Sequence, residues 1–393
     1  MLYFSYVTTL FTALQKDFRI MPNLSPVSAQ NNRSHGIDLL RIVSMFYVVA
    51  LHFITRGGLS ESVSKGTAQY AASWILQIWT YCAVDIFALI SGFVGYQDDP
   101  RPVKISRYLN LWLEVVVYGL AVTAVFRLLR PEIGITSEDF LQMLFPVTGK
   151  LYWYFTAYTG LFLLMPFLNR LMSSLSRRSA CKLFFLIILA FSAYAVITTH
   201  RFNVGSGSNV FWLTLLYMLG SCIKKCGIGR KLSPPVCIAG IVILIAVTYL
   251  WKAYGVEKSK LGFVIRPDML ISYVSPTVLC SSVLHVILFD KITVKKPTAK
   301  LIAFCASGSF AVYILNTQQW IWDYSIKNSF VSFASSSPAL LIGAVLGASL
   351  FFLTASVLID CLRRILFKAI RIDTLFQKIE DGVRKGIERI SNA

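Results

Sequence analysis

The sequence predicts an all-α, polytopic membrane protein with about ten transmembrane helices and both termini in the cytoplasm. Three observations predict it. Hydrophobic residues fill 56% of the 393 positions and charged residues only 15%, with a mean hydropathy of +0.64, whereas an average soluble chain is about one quarter charged. Apolar runs able to cross ~30 Å of hydrocarbon fall near 37–54, 71–94, 108–129, 151–169, 182–199, 210–223, 235–251, 269–289, 301–322 and 338–361. With the N-terminus inside, the inner segments hold 26 Lys and Arg and the outer segments 10, the asymmetry that fixes orientation. The net charge of +19 is thus mainly a topology signal, with attraction to anionic membrane lipid second. It gives no reason to invoke nucleic acid.

Residues 1–36 form a cytoplasmic N-terminal segment, 37–361 the membrane domain and 362–393 a basic cytoplasmic tail. The opening run over 1–14 is too short to span and lacks the basic start of a signal peptide. It lies on the inner surface, or the chain begins at Met21. The tail is amphipathic in pattern over 372–390. The eight cysteines show no CxxC and no zinc spacing, and read as reduced packing residues. No metal and no bound cofactor is expected, and no internal repeat is visible.

In the first span, Arg41 and His52 stand eleven residues apart. At about 100° and 1.5 Å per residue they share one helix face to within roughly 20° and lie ~16 Å apart. Arg41 then sits near the inner surface and His52 toward the outer one. Ionisable groups at membrane depth are costly and imply a partner or a cavity. For a lone His52 the bland alternative is a hydrogen bond to a neighbouring helix, but Arg41 on the same face favours function. Arg41 has its own alternatives: snorkelling to headgroups, or a local pair with Asp38 at i−3. The other histidines are weaker candidates. His35 precedes the first helix, His200 lies in an outer loop, and His285 sits toward the inner end of the eighth span.

Asp85, in the second span, needs a cation, a hydroxyl or an imidazole. It either orients His52 or pairs with Arg127 or another helix. Ser91-Gly92 reads as close packing rather than a nucleophile. Arg101, Lys104 and Arg107 lead into the third span, a usual pattern for inner loops. Trp153, Tyr154 and Tyr158 open the fourth span as an interfacial aromatic belt, or as rings that stack on a sugar. Glu114 and Asp360 read as helix-packing residues.

The stretch IDLLRIVSMFYVVALHF (37–53) resembles the first helix of the bacterial membrane acyltransferases known as acyltransferase family 3, whose pattern is Arg, ten residues, His. VDIFALISGFVGY (84–96) resembles the family's second helix, with Asp85, Phe87, Ser91, Gly92 and Phe93 corresponding. SRYLNLWLEVVVY (106–118) and YWYFTAYTGLFLLMPFLNRL (152–171) look like the branch that decorates surface polysaccharides. Two departures stand out. The family's Arg-x-x-Arg reads Arg107 then Asn110, and its late Tyr-Leu-Ile-His reads Tyr313-Ile-Leu-Asn316, so a second arginine and a late histidine do not carry over.

The resemblance implies an inner-membrane O-acyltransferase that moves an acetyl group from acetyl-CoA, as co-substrate, to a glycan or lipid-linked oligosaccharide of O-antigen or capsule. Such a transfer needs a base for the hydroxyl proton, and an imidazole suits that at neutral pH. His52 and Arg41 would be catalytic, and Arg41 and Arg107 would bind the donor phosphates. Asp38, Asp85 and Ser91 would support them, with Trp153 and Tyr154 on the acceptor side. The alternative class is a transporter or flippase for a lipid-linked or small anionic substrate.

Overall fold

The computed structural model describes residues 34–100, 102–149, 151–198, 202–261 and 265–392. The expectations for the opening run, Met21 and His200 lie outside these residues. All regular structure among the described residues is helical. The helices that matter here are α1 His35–Thr55, α2 Ala68–Thr80, α3 Ala83–Gly95, α4 Ile105–Leu129, α5 Trp153–Ser174, α6 Arg177–Ile197, α7 Val210–Cys226, α8 Pro234–Lys260, α9 Pro276–Asp290, α10 Lys296–Ser307, α11 Ser309–Thr317, α12 Pro338–Ala369 and α13 Ile372–Asn392.

Among the described residues, seven helical segments are long and apolar enough to cross a bilayer: α1 with its short continuation, α2 with α3, α4, α6, α8, α10 with α11, and α12. The other three expected spans correspond to α5, α7 and α9, which are helical but fall short in length or apolarity. The polarity of the fold is inverted relative to a soluble protein. Leu128, Leu189, Ile243, Leu250, Phe351 and Leu362 face outward, while Ser73, Asp85, Asn169, Asn316 and Asp360 are buried. Apolar side chains meet no penalty against lipid, whereas polar ones must find partners inside. The chain is a multi-pass membrane protein.

Contacts divide the described chain into two compact units. The smaller comprises 104–110 with 366–392. In it the Ser106 N–H donates to Glu380 Oε2 at 3.1 Å and the Asn110 amide donates to Asp373 Oδ1 at 3.0 Å. The donor from Ser106 is the main reason the Glu380 carboxyl is held below its usual range.

The larger unit comprises 34–103 with 111–365. Within it α1 packs against α2, α3, α9, α10 and α11, and so runs through the middle of the helices that carry the site. The most extensive pairing is α3 with α7, and glycine permits it. A Cβ on Gly92 would lie 1.8 Å from the Tyr217 carbonyl oxygen, and one on Gly220 would lie 2.0 Å from that of Leu89. Small residues let membrane helices approach this closely. The Ser221 hydroxyl adds a bond to the Gly92 carbonyl at 3.1 Å.

Two expected spans are not continuous rods. The second breaks at Tyr81 and Cys82, between α2 and α3. The ninth breaks at Gly308 and again at Gln318, whose backbone is extended and whose side chain accepts from the Trp320 and Ile321 amides. Irregular backbone at membrane depth persists only where protein groups satisfy it in this way.

Candidate active site

α1 starts at His35, with Ser34 as N-cap. In its first turn the buried Asp38 accepts from Arg41 Nη1 at 2.6 Å and lies 3.9 Å from His35 Nδ1. The local pair at i−3 is therefore present. The Arg41 side chain remains 31% exposed, so its guanidinium is held at one edge and accessible at the other.

Three turns further along, His52 Nδ1 donates to Asn316 Oδ1. Asn316 is fully buried, in the last turn of α11. Trp322, just past the break at Gln318, sets its ring edge-on to the imidazole, with centroids 4.7 Å apart and planes at 80°. The Arg56 guanidinium sits 5.7 Å from the Trp322 ring centroid and is paired with Asp323. The imidazole is thus held by both sides of a broken helix. Its Nε2 takes no hydrogen bond from any described residue, and the residue keeps accessible surface although it lies deep among the helices. An unshared lone pair beside accessible space is what a proton acceptor requires.

Asp85 is in the first turn of α3, where the amide ends of the helix favour a carboxylate. Trp212 Nε1 donates to its Oδ1 at 3.1 Å. Oδ2 is buried and has no hydrogen-bond partner among the described residues. The imidazole is therefore oriented by Asn316, and Asp85 by Trp212. Arg127 lies instead over the Phe140 ring.

A series of rings connects the two places. Tyr81 meets Tyr273 at 5.1 Å, Tyr273 stacks on Trp153 at 6.0 Å, Trp153 meets Tyr154 at 5.6 Å, and Tyr154 meets Tyr313 at 5.9 Å. Tyr313 is one turn before Asn316 on α11. Tyr81, Tyr154 and Tyr273 keep accessible surface despite their depth, so the rings border space inside the bundle.

The remaining predicted residues have other surroundings. The Ser91 hydroxyl bonds back to the Phe87 carbonyl at 3.0 Å, beside the Gly92 contact. Arg107 belongs to the smaller unit. His285 Nδ1 donates to the Ser281 carbonyl of its own helix at 2.8 Å, and the residue is 3% exposed. All eight cysteines are free thiols. A separate crevice of about 430 Å³, lined by Val196, Arg266, Asp268 and Ser272 among others, contains none of the predicted residues.

Glu114 and Asp360 do more than pack. Arg363 lies 3.3 Å from Glu114 Oε2 and 2.7 Å from Asp360 Oδ1, and Arg364 lies 2.9 Å from Asp360 Oδ2. The Tyr118 hydroxyl donates to Asp360 at 2.9 Å, and this cluster ties α4 to α12.

Sequence reasoning missed Asn316, Trp322, Trp212 and Tyr273. For Asn316 a signal existed: it occupies the position where the resembled motif carries histidine.

The fold and site define a multi-pass membrane protein with an accessible imidazole set beside aromatic rings. A family model described as an acyltransferase domain matches residues 34–359. The chain belongs to this family, acyltransferase family 3, and is an acyl-transferring enzyme. No curated protein and no solved structure matches it.

Proposed function

We propose that this acyltransferase transfers an acetyl group from acetyl-CoA to a sugar hydroxyl of a bacterial surface polysaccharide, such as O-antigen or capsule, in the inner membrane. The observation that carries the proposal is His52, oriented through Nδ1 and open at Nε2. In the reaction, Nε2 takes the hydroxyl proton as the sugar oxygen attacks the thioester carbonyl. The C–S bond then breaks and the CoA sulfur leaves, taking the proton from the imidazolium. A new ester bond replaces the thioester, and no oxidant or metal is consumed. Trp153, Tyr154 and Tyr273 offer faces for a sugar ring. The deciding experiment supplies purified protein with labelled acetyl-CoA and a glycan acceptor: labelled ester on the glycan supports the reading, and its absence across acceptors rejects it.

Arg41 is the donor-side cation in this reading. A guanidinium binds phosphate bidentately and an ammonium does not. Arg41→Lys should therefore weaken apparent acetyl-CoA affinity while keeping charge, and Arg41→Ala should weaken it further. Unchanged affinity in both variants would reduce Arg41 to the partner of Asp38.

The route also requires Arg41 and His52 to face opposite sides, with both termini cytoplasmic and ten crossings. In a cysteine-free background, Ser64→Cys and Lys258→Cys should react with a membrane-impermeant thiol reagent in intact cells. Arg178→Cys and Lys296→Cys should react only after the membrane is opened. External labelling of Arg178→Cys inverts the arrangement and removes the donor route.

A further inference from the structure

We infer that Asn316 is the positioning residue that holds His52 as the tautomer protonated on Nδ1, so that the lone pair stands on Nε2, facing the accessible space. This rests on the reading of His52 as the base, and concerns the atom on which that base works.

A neutral imidazole carries one N–H and one lone pair, and the hydrogen bond made by one nitrogen decides which is which. Asn316 Oδ1 is an acceptor only, so the His52 nitrogen facing it carries the proton. The other nitrogen, Nε2, meets no described partner. Rotation of the ring is opposed by Trp322, edge-on at 4.7 Å. The amide is itself fixed: Asn316 is fully buried, its helix ends one residue later, and the chain is redirected at Gln318.

The residue type fits the surroundings. A carboxylate in this place would also accept from Nδ1, but it would bring an uncompensated charge into a low-dielectric interior. The nearest cation on these elements, Arg56, is already paired with Asp323. An amide gives the orientation without the charge. The cost is visible in Asn316 Nδ2, which is buried with no partner among the described residues.

The test reads the tautomer directly. The chain has only four histidines, so ¹⁵N-histidine labelling of the protein in nanodiscs gives few ring signals, and a His52→Gln sample identifies those of His52. The neutral wild-type ring should be protonated on Nδ1. Asn316→Asp, which keeps an acceptor but adds a charge, should keep Nδ1 protonated. Asn316→Leu, of similar volume, should lose that tautomer and lower kcat for acetyl-CoA-dependent transfer by about 10²-fold, the lower end of what a positioned base contributes, with KM for acetyl-CoA unchanged. A wild-type ring protonated on Nε2, or an Asn316→Leu protein with unchanged tautomer and kcat, overturns the inference. The tautomer readout does not depend on the function assigned to His52, whereas the kcat readout does. A fully active His52→Ala protein whose wild-type ring is Nδ1-protonated would instead remove the base and leave the tautomer assignment standing.

Discussion

His52→Ala is expected to leave the protein in the membrane at near-normal amounts while acyl transfer falls by at least ~10²-fold. The argument is one of position. α1 packs against five other helices, and a single truncation beside accessible space leaves that packing largely in place. What is lost, in the proposed mechanism, is the nitrogen that takes the hydroxyl proton. Removing it also frees the Asn316 carbonyl oxygen and exposes the Trp322 edge, so some local relaxation follows. Arg41 and its pair with Asp38 lie about three turns away on the same helix and should be unaffected. The measurement is labelled product formed per mole of protein, with acetyl-CoA binding assayed in parallel. Binding retained with transfer lost places His52 in the chemical step, whereas transfer within tenfold of wild type removes it from the mechanism.

Asp360→Ala should produce the largest loss of stability among single changes in the buried charge cluster. The carboxylate is fully buried and faces Arg363 at 2.7 Å and Arg364 at 2.9 Å, with the Tyr118 hydroxyl at 2.9 Å. Removing one partner of a buried pair leaves an uncompensated charge, at a cost of about 3–5 kcal/mol. Arg363 keeps Glu114. Arg364 keeps no carboxylate among the described residues, only the Ser307 hydroxyl, the Phe304 carbonyl and ring, and the Cys361 sulfur. Replacing Arg364 together with Asp360, as Asp360→Ala with Arg364→Leu, should recover part of the loss because the stranded cation is gone. Unfolding in a denaturing detergent titration, followed by circular dichroism, reads both effects. A change below about 1 kcal/mol for Asp360→Ala would mean that water or lipid headgroups already solvate the cluster.

Much of the helical architecture was legible because lipid imposes a length on apolar runs and because each run is bounded by charge or proline. The first helix was the most legible element: Arg41, Asp38 and His52 are related by helical spacing alone, and their local pair could be read from i−3. What sequence did not carry was pairing between distant segments. Asn316 is 264 residues from His52, and nothing local says that α11 lies against α1. Asp85 was expected to need a partner, and it has one, but an indole N–H is a donor that a search for charges passes over. The break at Tyr81 lies between two apolar helices, so hydropathy averaged over a span reads through it, and the one at Gln318 falls in the short polar run 316–319, which a window of membrane length averages away. Glu114 and Asp360 were read as helix-packing residues because their arginine partners sit beyond the apolar stretch, in what reads as the start of a basic tail.

The paired glycines of α3 and α7 set a mechanical limit on the protein. A slip of one residue along either axis would push Ser91 or Phe93 toward the Tyr217 carbonyl, or Leu219 or Ser221 toward that of Leu89, where even a methyl group overlaps the oxygen. These two helices therefore form a latched rail that does not slide. Any widening of the bundle has to be absorbed by other elements, and the chain is already cut at Gln318. Asn316 and Trp322 hang on the two sides of that cut, with the imidazole between them. Movement at that joint and the orientation of the imidazole are in this way geared together.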